Sequence, residues 1–167
     1  MQNTTLAFIG AGNMATSLIL GLIEKGFDAS RIWASNNNEQ ILADLKSKAP
    51  LNITTDNLAA ARHADVIILS VKPQIMKAVT QELAKTVQNR KPLVLSIAAG
   101  ITIDSLNTWL GGDLPIVRTM PNTPALVQTG ATGLYANAAV SHEQKTLAES
   151  IMAAVGIALW VDKEPLL

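Results

Sequence analysis

The chain has 167 residues, 49% of them hydrophobic, with no cysteine and with 13 basic side chains against 13 acidic ones. That length fits one domain of ordinary size with a sizeable core, and the missing cysteines exclude disulfides and thiolate metal sites. Balanced charge without a basic block leaves no electrostatic footprint for nucleic acid or an anionic membrane, and no apolar run approaches the ~20 residues that a membrane helix needs.

Met1 to Thr5 are polar and uncharged, and the apolar stretch after them is broken by Gly10 and Gly12. This does not read as a signal peptide, and a cytoplasmic protein is the expectation. Along the chain, residues 6–9, 32–34, 66–71, 93–97 and 116–117 form short runs rich in Ile and Val. They are apolar at consecutive positions, as strands are when helices cover both faces. Helical stripes lie between them: Met14, Leu18, Gly21 and Leu22; then Ile41, Leu42 and Leu45; then Ile75, Val79 and Leu83; then Leu106, Trp109 and Leu110. Residues 132–135 read as a strand. Ser141 opens a helix with Gln144 three positions on, as in a capping box, and residues 158–161 read as a last strand. Alternating strand and helix predicts an α/β, Rossmann-like, doubly wound and mostly parallel sheet with helices on both faces.

The sharpest motif is Gly10-Ala11-Gly12-Asn13-Met14-Ala15. It fits G-x-G-x-x-G/A, follows a predicted strand and opens a predicted helix, the context that gives the pattern its meaning. Gly10 permits the tight turn, Gly12 lets a pyrophosphate approach the backbone, and Ala15 lets the helix pack close to the strand. Free N–H groups and the helix dipole favour the diphosphate there. NAD sites usually carry an acid about 20 residues past the glycines, on the ribose. Here the second strand ends in Ala34-Ser35-Asn36-Asn37-Asn38, and Glu39 already belongs to the next helix. An acid at that tip would repel a 2′-phosphate; Ser35, Asn36 and Asn37 can donate to one, although no Arg follows. The reading is NADP(H) preferred, with NAD(H) tolerated.

In an open parallel sheet the ligand lies outside the carboxyl ends of the strands. Three later segments fall on that edge: Ser70-Val71-Lys72-Pro73, Ala98-Ala99-Gly100 and Arg118-Thr119-Met120-Pro121-Asn122-Thr123-Pro124-Ala125. The small residues 98–100 let a flat nicotinamide lie against backbone. Lys72 reads either as a donor to a ribose or a substrate carboxylate, or as a solvent-facing lysine at a helix start. The two prolines stiffen the last segment, which reads equally as a turn between strands. His63 sits at the opposite edge and His142 in the capping motif; both read as surface residues, and two isolated histidines make a poor metal site. Trp33, Trp109 and Trp160 read as packing residues.

Taken together, 8–15, 70–73, 96–102 and 118–125 resemble the four motifs of the pyrroline-5-carboxylate reductase family, in order and along essentially the whole chain. The last is the most specific; the first is shared with β-hydroxyacid dehydrogenases. The resemblance implies reduction of 1-pyrroline-5-carboxylate to L-proline, usually with NADPH, in the last step of proline biosynthesis. It implies that Ile9, Gly10, Ala11, Gly12, Asn13 and Met14 hold the diphosphate and that Ser35 and Asn36 sit near the adenosine ribose. Asn57 and Ser70, Val71, Lys72 and Pro73 line the cofactor; Ala98, Ala99, Gly100, Met120, Pro121 and Asn122 approach the nicotinamide. Residues 1–162 then form the NAD(P)-binding domain, and 163–167 start a connection to a helical domain that dimerises and carries most of the substrate-binding and proton-donating groups. That expectation makes the whole protein a homo-oligomer and assigns no catalytic residue or metal to this chain. Two other readings stay open: another NAD(P)-dependent imine reductase or β-hydroxyacid dehydrogenase relative, and a nucleotide-sensing module without chemistry.

Overall fold

A computed structural model describes residues 3–121 and 130–167. Among the described residues the strands β1 (Leu6–Ile9), β2 (Ile32–Ser35), β3 (Asn52–Thr54), β4 (Val66–Leu69), β5 (Leu93–Ser96), β6 (Ile116–Pro121), β7 (Gly130–Ala136) and β8 (Gly156–Trp160) form one sheet. Its order is β3-β2-β1-β4-β5-β6-β7-β8. The first six run parallel; β7 is antiparallel to β6, and β8 runs parallel to β7. The doubly wound, mostly parallel sheet is as the alternation predicts.

The apolar strands are apolar because both of their faces are covered. β1, β4 and β5 are buried at every position, and alternate side chains feed two layers. Leu6, Phe8, Val66, Ile68 and Leu95 pack with α1 (Asn13–Glu24) and α6 (His142–Met152). Ala7, Ile9, Ile67, Leu69 and Val94 pack with α3 (Asn57–Ala61), α4 (Pro73–Arg90) and α5 (Ile103–Trp109). Each large side chain buried this way stabilises by about 1.5–3 kcal/mol. Asn38 caps α2 (Glu39–Lys48), accepting from the N–H groups of Gln40 and Ile41. The Ser141–Gln144 capping box at the start of α6 is complete in both directions.

Several expected boundaries shift. β4 stops at Leu69 and β5 at Ser96, one residue short of the last bonds of each ladder, Ser70 N–H to Ile9 O and Ile97 N–H to Leu69 O. β6 runs on to Pro121, β7 covers Gly130–Ala136, and β8 begins at Gly156. β3 and α3 lie outside the predicted elements; β3 has one apolar residue, and α3 is five residues long, too short for a helical stripe. On α4 the buried face is Met76, Thr80, Leu83 and Val87, while Ile75 is 49% exposed. Thr80 is admitted to that face because its hydroxyl donates to the carbonyls of Met76 and Lys77. Among the described residues no helix is long and apolar enough to cross a membrane.

Candidate dinucleotide site

Because β1 to β6 point one way, their carboxyl ends share an edge, and the strand order reverses between β1 and β4. Ligands of open α/β sheets bind at such a reversal. Hydrogen bonds tie the strand ends there into a chain. Asn36 N–H donates to Thr54 O at 3.3 Å, Gly10 and Ala11 N–H both donate to Ser35 O at 3.0 and 2.9 Å, and Ser70 N–H donates to Ile9 O at 2.9 Å. Ile97 N–H reaches Leu69 O at 3.2 Å, and Thr119 Oγ1 reaches Ser96 O at 3.0 Å.

The two glycines of the first turn do different work. Gly10 has φ +88, and a Cβ there would lie 2.4 Å from Val71 Cγ1 and 3.0 Å from the Val71 backbone. The fold itself demands glycine at this position. Gly12 is exposed with φ −105, and a Cβ there would meet nothing within 4 Å. Nothing in the fold demands glycine at 12; a side chain would fill the space in front of α1. Gly12 is the N-cap of α1 and supplies no side-chain cap, and the first turn holds no acid. Thr16 is the first amide to find a helical partner, Gly12 O at 2.9 Å. The N–H groups of Asn13, Met14 and Ala15 have no acceptor among the described residues. Three free donors at the positive end of a helix dipole form an anion cradle, and Ala15, 1% exposed, lets α1 sit against the sheet. The residues present fit a dinucleotide diphosphate.

At the tip of β2 one expectation is corrected. Ser35 is fully buried, and its hydroxyl donates to Asn57 Oδ1 at 2.7 Å, so it props the turn and has no free donor for a phosphate. Asn36 Nδ2 donates to Ala11 O at 3.0 Å while its Oδ1 accepts from Asn38 N–H; this side chain braces the glycine turn. Asn37 is exposed. Asn57 Nδ2 in turn donates to Glu82 Oε1 at 3.3 Å, which brings a carboxylate from α4 near the tip. Sequence distance hid Glu82, and no local pattern signals it.

The remaining residues fall along the same edge. Val71 is half-buried against Gly10, Lys72 is the exposed N-cap of α4, and Pro73 is its first residue. Ala98 is buried, whereas Ala99 and Gly100 are exposed, Gly100 with φ +76. Met120 is half-buried near the end of β6, which Pro121 closes. Asn122, with Thr123, Pro124 and Ala125, lies outside the described residues. His63 is exposed just before β4, at the far edge, and His142 is exposed as the first residue of α6. Trp33 and Trp109 pack against the α3–α5 layer; Trp160 packs on the other and donates its indole N–H to Glu149. Arg118, 7% exposed on β6, faces the half-buried Glu164 at 3.7 Å, a partner that lies outside the motif Arg118 opens.

Comparison with known proteins agrees with this geometry. The family described as NADP oxidoreductase coenzyme F420-dependent matches residues 5–100. A pyrroline-5-carboxylate reductase of Pseudomonas aeruginosa is 50% identical over 98% of this chain and 60% of its own length. The structure of a pyrroline-5-carboxylate reductase from Coxiella burnetii superposes with a TM-score of 0.94 at 46% identity, over 96% of this chain and 60% of that one. The Plasmodium falciparum pyrroline carboxylate reductase with NADP bound gives 0.86 at 28% identity, over 99% and 60%. The chain thus spans about 60% of the length of the curated relatives it matches. Similar along nearly its whole length to pyrroline-5-carboxylate reductases, and matched over more than half of its residues, the chain belongs to the family described as NADP oxidoreductase coenzyme F420-dependent.

Proposed function

We propose that this chain is the cofactor-binding part of a pyrroline-5-carboxylate reductase, which reduces 1-pyrroline-5-carboxylate to L-proline with NADP(H) as the last step of proline biosynthesis. The observation that carries the reading is the open cradle at Gly12. Exposed glycine without a conformational need stands before three free helix N–H groups, at the sheet's reversal point. Bound NADPH supplies the hydride for the imine carbon. The amides of Asn13, Met14 and Ala15 hold the diphosphate, and Gly12 keeps the approach clear. Asn57 lines the adenosine side, with Ser35 propping the turn beneath it and Glu82 engaged by the Asn57 amide, and the absence of an acid within 34–38 leaves room for a 2′-phosphate, with NAD(H) accommodated more weakly. Lys72, exposed at the start of α4, is the donor to a ribose or a substrate carboxylate, and Ala98–Gly100 with Met120 and Pro121 flank the nicotinamide. No residue of this chain is assigned the proton of the ring nitrogen; that role, and the homo-oligomer, belong to the part of the protein beyond the length shared here. Residues 1–162 form the nucleotide domain and 163–167 begin the connection. A cysteine-free chain suits the reducing cytoplasm, where we place the activity.

Calorimetric titration with NADPH and NADH tests the reading, with Gly12→Val as control. Tighter binding of NADPH that Gly12→Val abolishes supports it. Binding that survives the valine unchanged removes the glycine turn from the site.

A further inference from the structure

Two adjacent residues of β6 govern the two ends of the loop that joins β5 to α5. Thr119 Oγ1 donates to Ser96 O at 3.0 Å, and Ala98 N–H returns to Ser96 Oγ at 3.3 Å. At the far end Ile103, the first residue of α5, donates its N–H to the two carboxylate oxygens of Glu164 at 3.1 and 3.3 Å. Thr102 caps α5 by accepting only from Ser105 N–H, so Glu164, 61 residues away in sequence, answers an amide the local cap leaves open. Glu164 is itself held by Arg118 Nη1 at 3.7 Å, with the two side chains 18% and 9% exposed. A guanidinium does not deprotonate in a protein, and Arg118 Nε has no partner in the structure. Glu164 is therefore the carboxylate that answers a buried charge, a pairing costly to break from one side. Between the two anchors lie Ala99 and Gly100, exposed and with open space around Gly100. Glu164 belongs to the segment after β8. That segment runs back along β7, where Leu167 Cδ2 would lie 2.8 Å from a Cβ at Gly133, the cross-strand partner of Met120.

We propose that Glu164, held by Arg118, is a positioning residue for the cofactor's nicotinamide end: it fixes residues 98–102 through Ile103 without touching the cofactor, and so makes the segment after β8 part of the site. This rests on the cofactor reading given above. The distinguishing probe is 2′-phospho-ADP-ribose, which keeps every group of NADPH except the nicotinamide ring. Glu164→Ala should weaken NADPH about five- to tenfold, less than the full worth of a charged hydrogen bond because only loop order is lost. It should leave 2′-phospho-ADP-ribose within about twofold and speed amide exchange at Ile103. Glu164→Gln, which keeps an acceptor for Ile103, should fall between, at about two- to threefold for NADPH; should the alanine variant not fold, the same comparison is read from it. Equal weakening of both nucleotides, or unchanged NADPH affinity despite faster Ile103 exchange, overturns the inference while leaving the cofactor site intact. Failure of the unmodified chain to bind either nucleotide overturns the cofactor reading and this inference with it.

Discussion

Replacing Gly10 by alanine should make the protein easier to unfold, whereas the same change at Gly12 should spare stability and remove nucleotide binding. At Gly10 two costs add. A φ of +88 costs an L-residue about 1–2 kcal/mol. A methyl 2.4 Å from Val71 Cγ1 and 3.0 Å from Val71 Cα and N adds about 1–3 kcal/mol of overpacking, since backbone cannot rotate away. The sum, roughly 2–5 kcal/mol, corresponds to a Tm loss of roughly 4–20 °C in a domain of this size. At Gly12, φ −105 suits any residue and the space is open. Alanine is a somewhat poorer N-cap than glycine, but it also stiffens the unfolded chain, so stability should stay within about 0.5 kcal/mol. Its methyl nevertheless stands where the diphosphate approaches the α1 amides. Urea denaturation and NADPH calorimetry on both variants separate the effects. If Gly12→Ala loses stability as Gly10→Ala does, or binds NADPH like the parent, the division of labour argued for this turn is wrong.

Three further predictions follow from packing, capping and charge. Gly21→Ala places a Cβ 2.6 Å from Ala154 O, where α1 crosses the turn Ala153–Val155; it should cost about 1–3 kcal/mol in urea denaturation, and a neutral result would mean that α1 does not pack this closely. Ser141→Ala removes one half of the capping box at α6 and should cost about 1 kcal/mol, readable as a lower urea midpoint with unchanged slope. The Ser30 hydroxyl and Ser30 N–H both donate to Asp28 Oδ1 and, with Arg31 nearby, hold this carboxyl below the usual aspartate value. Its stabilising effect is present above the unfolded aspartate pKa and fades as pH falls through the lowered folded value. An NMR titration should show the low pKa and its return upward in Ser30→Ala; an unshifted carboxyl in the parent would contradict the assignment.

The glycine turn was legible because everything it needs is local: a buried strand, two glycines and a helix within ten residues of Leu6. The same holds for the α6 capping box, four residues long. What escaped reading depends on partners that sequence does not bring near. β3 is Asn52-Ile53-Thr54, half-buried at every position, with one apolar residue and hence no run to see. The stripe on α4 misled because Ile75 and Val79 share a face on paper, while Thr80 reads as polar until its hydroxyl is seen bonded to Met76 O and Lys77 O. Serine at a strand tip reads as a ligand donor; that Asn57 consumes the Ser35 hydroxyl follows only from how α3 packs against β2.

Arg118 shows why a site's supporting residues are harder to read than its contacts. A contact residue sits in a motif whose chemistry is its own, such as the bare backbone at Gly12. A supporting residue acts through another chain segment, and the partner is chosen by topology. The parallel order of β1 to β6 alone would carry each strand end to the ligand edge and each return through a helix. The antiparallel step at β7, whose direction β8 keeps, instead sends the segment after β8 back over the α5 side of the sheet, where Glu164 meets both Arg118 and Ile103. The reversal puts a carboxylate against a buried guanidinium two residues before Met120. The segment after β8 is thereby tied to β6 by one ion pair and, by the Ile103 amide, to the end of the loop at 98–102. The edge proposed for the nucleotide and the path that leaves the sheet share Arg118, so changes at 164 should be felt at the cofactor's ring end before they are felt at its phosphates.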